Sequence, residues 1–140
     1  EFLGIDENTI RHSENIKYHG KLPQHEVHKI MTEAQVLAYP CETQSPTETG
    51  CITVVEALAS YTHPILGAAD CLPEDYGSVS TMLDLPIDHV DYAEALISGL
   101  RGELPEQEAK IQYGRDLAET RDWSIAAKMY IDLAEGLLRK

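Results

Sequence analysis

Short apolar runs of strand length alternate with amphipathic stripes of helical period along this chain, and that alternation leaves few folds open. Ile16-Lys17-Tyr18-His19 reads as a short strand closed by Gly20. Pro23 then stands near a helix start, and Val27, Ile30, Met31 and Ala34 recur at i, i+3, i+4 and i+7. Val36 to Tyr39 is a continuous apolar run ended by Pro40, the pattern of a strand covered on both faces. A polar loop from Cys41 to Gly50 leads into an apolar segment, Ile52 to Ser60, read as a buried helix. Pro64 to Gly67 is the next strand, and Val79 to Leu83 a weaker one. Beyond it the pattern is helical. Ala93, Leu96, Ile97 and Leu100 form a stripe with Asp88 or Asp91 as N-cap, and a polar helix is expected over 106–119. A last helix, capped by Ser124, aligns Ala126, Met129, Tyr130, Leu133 and Leu137 on one face.

Strands separated by helices pair in parallel through right-handed crossovers. The expected fold is therefore α/β, a partial Rossmann-like, doubly wound parallel sheet with C-terminal helices. No linker or repeat divides the 140 residues, so one domain is expected, with motif-bearing residues 15–67 and a helical part over 88–140. Ligands of such sheets bind beyond the carboxyl ends of the strands. The loop from Pro40 to Gly50 occupies that kind of place.

Charge narrows the partners. The net charge is -13, from 24 acidic and 11 basic side chains, which disfavours nucleic acid and anionic lipid. An anionic ligand would have to rely on backbone N–H groups and helix dipoles, or on cations from another domain. No apolar run reaches the ~18 residues that span a bilayer. Cys41, Cys51 and Cys71 form no CxxC pair and leave one thiol over in any disulfide scheme, which points to a reducing cytoplasm. His25 and His28 flank Glu26 in an H-E-x-H pattern that is not the H-E-x-x-H of zinc proteases. They read as two exposed histidines on a polar helix face, and no metal site is expected.

The chemistry concentrates in Glu48-Thr49-Gly50-Cys51-Ile52-Thr53-Val54-Val55-Glu56-Ala57. A helix start leaves N–H groups without partners, and its dipole adds about half a positive charge there. A diphosphate suits such a corner, and Gly50 would let it come close to the backbone. Glu56 could accept from vicinal hydroxyls, as on a ribose, while Glu48 would face the sugar beyond the phosphates. Thr53 and Glu56 also form the T-x-x-E pattern of a capping box, in which Glu56 would reach back to the Thr53 backbone. Cys51 has no histidine near it in sequence and reads as a small junction residue. Glu74 and Asp75 follow the Pro64–Gly67 strand and by themselves read as a solvated loop.

This segment resembles the E-x7-E motif of family-four retaining GT-B glycosyltransferases, in its E-T-x-C-I-T-x-x-E-A variant. The resemblance runs in unbroken order from about residue 15 to 140. It takes in Asn15 to Gly20 before the first amphipathic helix and Leu37 to Pro40 before the donor loop. It continues through Glu56-Ala57-Leu58-Ala59-Ser60 with Pro64-Ile65-Leu66, and ends with Trp123 and its helix, similar to the family's closing W-helix. It implies the nucleotide-sugar-binding, C-terminal half of a GT-B fold. Glu48 would be the catalytic carboxylate touching the donor sugar. Gly50, Cys51, Ile52 and Thr53 would hold the sugar and diphosphate, Glu56 would bind the ribose, and Glu74 matches a glutamate often found after this strand in the family. The implied reaction, of a kind used in polysaccharide biosynthesis, moves a sugar from a UDP- or GDP-sugar to an acceptor hydroxyl with retention. It needs no cofactor or protein-bound metal.

Departures from the family pattern set further expectations. Gly50-Cys51 stands where Phe-Gly is frequent, and Tyr61-Thr62-His63 replaces a glycine-containing link. The opening strand, the G-R-x-x-x-x-K-G segment with its phosphate-gripping Arg and Lys, and the acceptor-binding N-terminal domain have no counterpart in the sequence. The chain is therefore expected to be truncated at its front and inactive alone. Its expected partners are a nucleotide-sugar and either the missing acceptor domain or a second copy paired through an exposed sheet edge. The alternative function is a non-catalytic Rossmann-like module for binding or assembly.

Overall fold

A computed structural model of the chain describes residues 14–41 and 50–138. Its elements, in order, are α1 (Gln24–Glu33), β1 (Val36–Tyr39), α2 (Ile52–Ala59), β2 (His63–Gly67), α3 (Leu72–Tyr76), β3 (Thr81–Leu83), α4 (His89–Arg101), α5 (Gln107–Thr120) and α6 (Trp123–Leu138). The fold is α/β. Three parallel strands form one sheet in the order β1-β2-β3, with Ala38 opposite Ile65 and Leu66 opposite Met82. Each parallel pair is joined by a helical crossover, since parallel neighbours cannot be linked by a tight turn.

The sheet explains which apolar run is buried. Every residue of β2 is buried, because β2 has a neighbour on each side and helices above and below. Its consecutive side chains point to opposite faces. Leu66 joins Val54 and Leu58 of α2, Leu72 and Tyr76 of α3, and Ala118 of α5 in the main core. Ile65, on the other face, meets α4 at Gly99, where an added Cβ would lie 3.1 Å from the Ile65 and Val36 methyl groups. Pro64 fits inside β2 because it precedes the first β2–β3 pair, Ile65 with Thr81. By contrast β1 pairs with β2 alone among the described residues, and its Ala38 is exposed. The two-sided cover expected of β1 belongs to β2 instead.

Several other expectations shift. Residues 16–20 form no strand; they are exposed and enter no ladder of the described sheet, and a strand needs a partner for its backbone groups. The stripe of α4 that turns inward is Tyr92, Ala95, Leu96 and Gly99, not Ala93, Leu96, Ile97 and Leu100. Gly99 sets that face because it lets the helix close on the sheet, and Ile97 and Leu100 remain 48% and 56% exposed. Of the two cap candidates, Asp88 is the one, accepting from Val90 N at 2.7 Å and Asp91 N at 3.2 Å. Gly102 ends α4 in the left-handed region, at φ 71°. The cap of α6 is Asp122 rather than Ser124: its Oδ1 accepts from Ser124 N at 2.7 Å and its carbonyl from Ile125 N. The five-residue helix α3 holds Glu74 and Asp75, where a loop was one expectation. No described helix is long and apolar enough to cross a membrane.

Candidate functional site

Helix α1 runs into β1 through two residues, Ala34 and Gln35, so its first turn lies toward the carboxyl end of β1. The chain leaves β1 at that same end and later enters α2, which leads back to the start of β2. The opening turns of α1 and α2 therefore both sit at the end of the sheet where α/β folds take their ligands.

At the corner before α2, Cys51 is the N-cap, with extended backbone and no side-chain cap bond. Its carbonyl accepts from Val54 N at 3.1 Å and Val55 N at 3.2 Å, so the Ile52 and Thr53 N–H groups precede the helical ladder. The Cys51 side chain is buried, and its carbonyl also receives the Tyr76 hydroxyl at 3.4 Å. Gly50 borders open space, with nothing within 4 Å of an added Cβ, and Ile52 is 65% exposed. Thr53 is half-buried. The corner thus combines a buried anchor with open flanks. Glu48 lies outside the described residues, as does the loop over 42–49.

Glu56 is the fifth residue of α2, about 6 Å along its axis from Ile52 at 1.5 Å per residue. Its carboxylate does not close a capping box on Thr53, since the helix starts one residue before Thr53, at Ile52, and the N-cap position is Cys51. Instead Oε1 accepts from Gln24 Nε2 at 3.1 Å and meets His28 Nε2 at 2.9 Å, both from α1. The His28 hydrogen bond holds the Glu56 carboxyl below its ordinary range, partial burial opposes this, and the Gln24 bond adds to the lowering. The carboxyl is therefore a carboxylate at neutral pH. His28 and Glu56 keep side-chain exposures of 48% and 23%, so the pair stays accessible to solvent. His25 and His28 are both exposed, as expected of a polar face, but His28 has a partner that the sequence did not disclose. The only hint was the H-E-x-H spacing, which pairs nothing within α1.

Elsewhere the groups serve the scaffold. Asp75 accepts from Arg121 Nη2 at 3.2 Å, tying α3 to the end of α5, while Glu74 is exposed. Arg115 donates to the Ala59 carbonyl at 3.0 Å and lies over the Tyr61 ring. Gly67, at the end of β2, is irreplaceable by contact: an added Cβ would come 2.5 Å from the Cys41 carbonyl oxygen. That close approach positions the chain leaving β1 toward the α2 corner. Among the described residues no group of three or more His, Cys, Asp or Glu side chains could hold a metal ion. No disulfide links Cys41, Cys51 or Cys71. The chain matches no protein-family model and no curated protein at significant similarity.

Proposed function

We propose that this chain is the nucleotide-sugar-binding part of a retaining GT-B glycosyltransferase, its three strands being part of a doubly wound sheet. The observation that carries the reading is the placement of Glu56. An ionised, solvent-accessible carboxylate stands beside an uncapped helix start at the carboxyl end of a parallel strand. The family resemblance predicts a ribose-binding glutamate at that position. On this reading the Ile52 and Thr53 N–H groups receive the diphosphate, with Gly50 admitting it to the backbone. Glu56 accepts from the ribose hydroxyls and Glu48 addresses the donor sugar. A net charge of -13 makes backbone donors, rather than side-chain cations, the source of attraction in this chain. Sugar transfer itself would require the acceptor-binding half.

Calorimetry or saturation-transfer NMR with UDP, GDP and their sugars tests the reading. Binding at millimolar ligand or tighter is expected, and Glu56→Gln should weaken it about 10-fold by losing a charged acceptor. Absence of binding to all of them defeats the proposal. So does a Glu56→Gln variant unchanged in both affinity and thermal stability.

A second reading, a non-catalytic assembly module, is favoured by one observation. Beside the β1 edge a groove of about 340 Å³ is lined by Leu22, Val27, Ile30, Met31, Val36 and Leu37 among others, nearly all apolar. Pairing of two copies along that edge would cover it. A strictly monomeric chain in analytical ultracentrifugation removes that alternative.

A further inference from the structure

Resting on the donor-site reading, we propose that Gln24 and His28 of α1 are positioning residues that hold the Glu56 carboxylate by one oxygen and so set its affinity for a ribose cis-diol. Both contacts fall on the same atom, Oε1, at 3.1 Å from Gln24 Nε2 and 2.9 Å from His28 Nε2. A carboxylate oxygen offers two lone pairs, and two donors from α1 occupy them. The second oxygen, Oε2, is the one left to accept from the paired 2′- and 3′-hydroxyls. The His28 ring, neutral or protonated, must present an N–H at Nε2 to satisfy this arrangement. A freely rotating glutamate would lose rotamer freedom on binding, whereas one held in advance has already lost it.

The spacing within α1 supports this division of labour. Gln24 and His28 are at i and i+4, the same face of one helix, and both reach across to Glu56 on α2. Among the described residues His28 is the only titratable side chain that acts on the Glu56 carboxyl. From α5, which also packs on α2, Arg115 goes to the Ala59 carbonyl and to Glu119. The clamp therefore belongs to α1 alone. It makes the start of α1 a part of the nucleoside end of the site, a role the sequence reading did not give it.

The experiment compares UDP and GDP with their 2′-deoxy analogues by calorimetry on the whole chain, in the native form and in Glu56→Gln, His28→Ala, His28→Gln and Gln24→Ala. His28→Ala is expected to weaken the ribonucleotide about 10-fold, the scale of losing one hydrogen bond to a charged group. His28→Gln, which still donates, should restore most of that loss. Binding of the 2′-deoxy analogue, already weak, should change less than threefold in His28→Ala. Long-range ¹⁵N–¹H spectra should show a proton on His28 Nε2 in the free protein. If Glu56→Gln weakens binding while His28→Ala and Gln24→Ala do not, the clamp is refuted and the donor site stands. Equal losses for ribo- and deoxyribonucleotide also refute it, as does a bare Nε2. If the native chain binds no nucleotide, both the donor site and the clamp fall together.

Discussion

Helices α2 and α6 are apolar around most of their circumference, yet only one of them is packed. In α2, Val54 and Leu58 are buried against β2, α3 and α5, and Ala57 is buried as well. Gly114 of α5 comes so near that an added Cβ would collide with Leu58 Cδ2. In α6, which is twice as long, no residue is buried, and Met129, Tyr130, Leu133 and Leu137 are each more than 60% exposed. Local apolarity is therefore not what distinguishes them. The difference is that α2 lies between two parallel strands, and its crossover forces it onto the sheet, whereas α6 follows the last described contact layer. An exposed apolar face this continuous marks a surface made to be covered.

The contrast can be broken most sharply at Leu58. Leu58→Ala should cost about 3 kcal/mol in denaturant unfolding, the scale of a buried leucine whose site cannot collapse. A cost below about 1 kcal/mol would mean that the α2–α5 contact is loose and the two helices are alike after all.

A second, somewhat smaller effect follows from His63, buried in β2 with Nε2 on the Thr81 hydroxyl at 2.9 Å and Nδ1 without a partner. Burial, and secondarily the charge of Lys110, lower its pKa from 6.5 to about 4. Between those values the unfolded chain binds a proton that the folded chain refuses, so stability must rise with pH. It is complete above pH 6.5 and is lost as pH falls toward 4, by roughly 2 kcal/mol between pH 7 and 4.5 at about 1.4 kcal/mol per unit. Denaturant titrations at pH 7 and 4.5 check the slope, and an NMR titration of His63 near the ordinary histidine value would show the packed region to be wet.

Between the two extremes stands α4, packed through small residues on one side and exposed on the other. Its cap is its most separable anchor: Asp88→Ala should lower stability by about 1 kcal/mol. No change would mean that sheet contacts alone hold the helix. The smallest effect is expected on α6, where Leu133→Ala should shift stability by less than about 0.5 kcal/mol. A loss approaching that of Leu58→Ala, especially one that grows with protein concentration, would show α6 to be covered in solution by another copy.

The elements legible in the chain were those whose signal is local. Val36–Tyr39 and the run from Pro64 announced their strands by composition and flanking breakers, the helix expected over 106–119 fell within a residue of α5, and the apolar stripes of α1, α4 and α6 lay inside or one residue beyond their observed spans. Helix α3 escaped because five residues hold barely more than one turn, too few to show a period. The residues at 16–20 had strand-like composition but no neighbour among the described strands. The corner at Gly50 to Thr53 was legible as a coil-to-helix junction, and its Thr53-based capping box was not realised because the helix begins at Ile52, which places Thr53 inside its first turn.

Sequence by itself determined that this chain alternates strand and helix, that its strands pair in parallel, and that the junction before α2 meets the carboxyl end of a strand. Those properties follow from hydrophobic period and breaker placement, which act over a few neighbouring residues. Tertiary structure alone decided that α4 presents Gly99 to the sheet instead of Leu100, and that Glu56 is held by side chains 28 and 32 positions earlier. It also decided that no residue of α6 is buried. Such outcomes depend on how closely two backbones approach, and that distance is set by the whole packed arrangement rather than by any one segment.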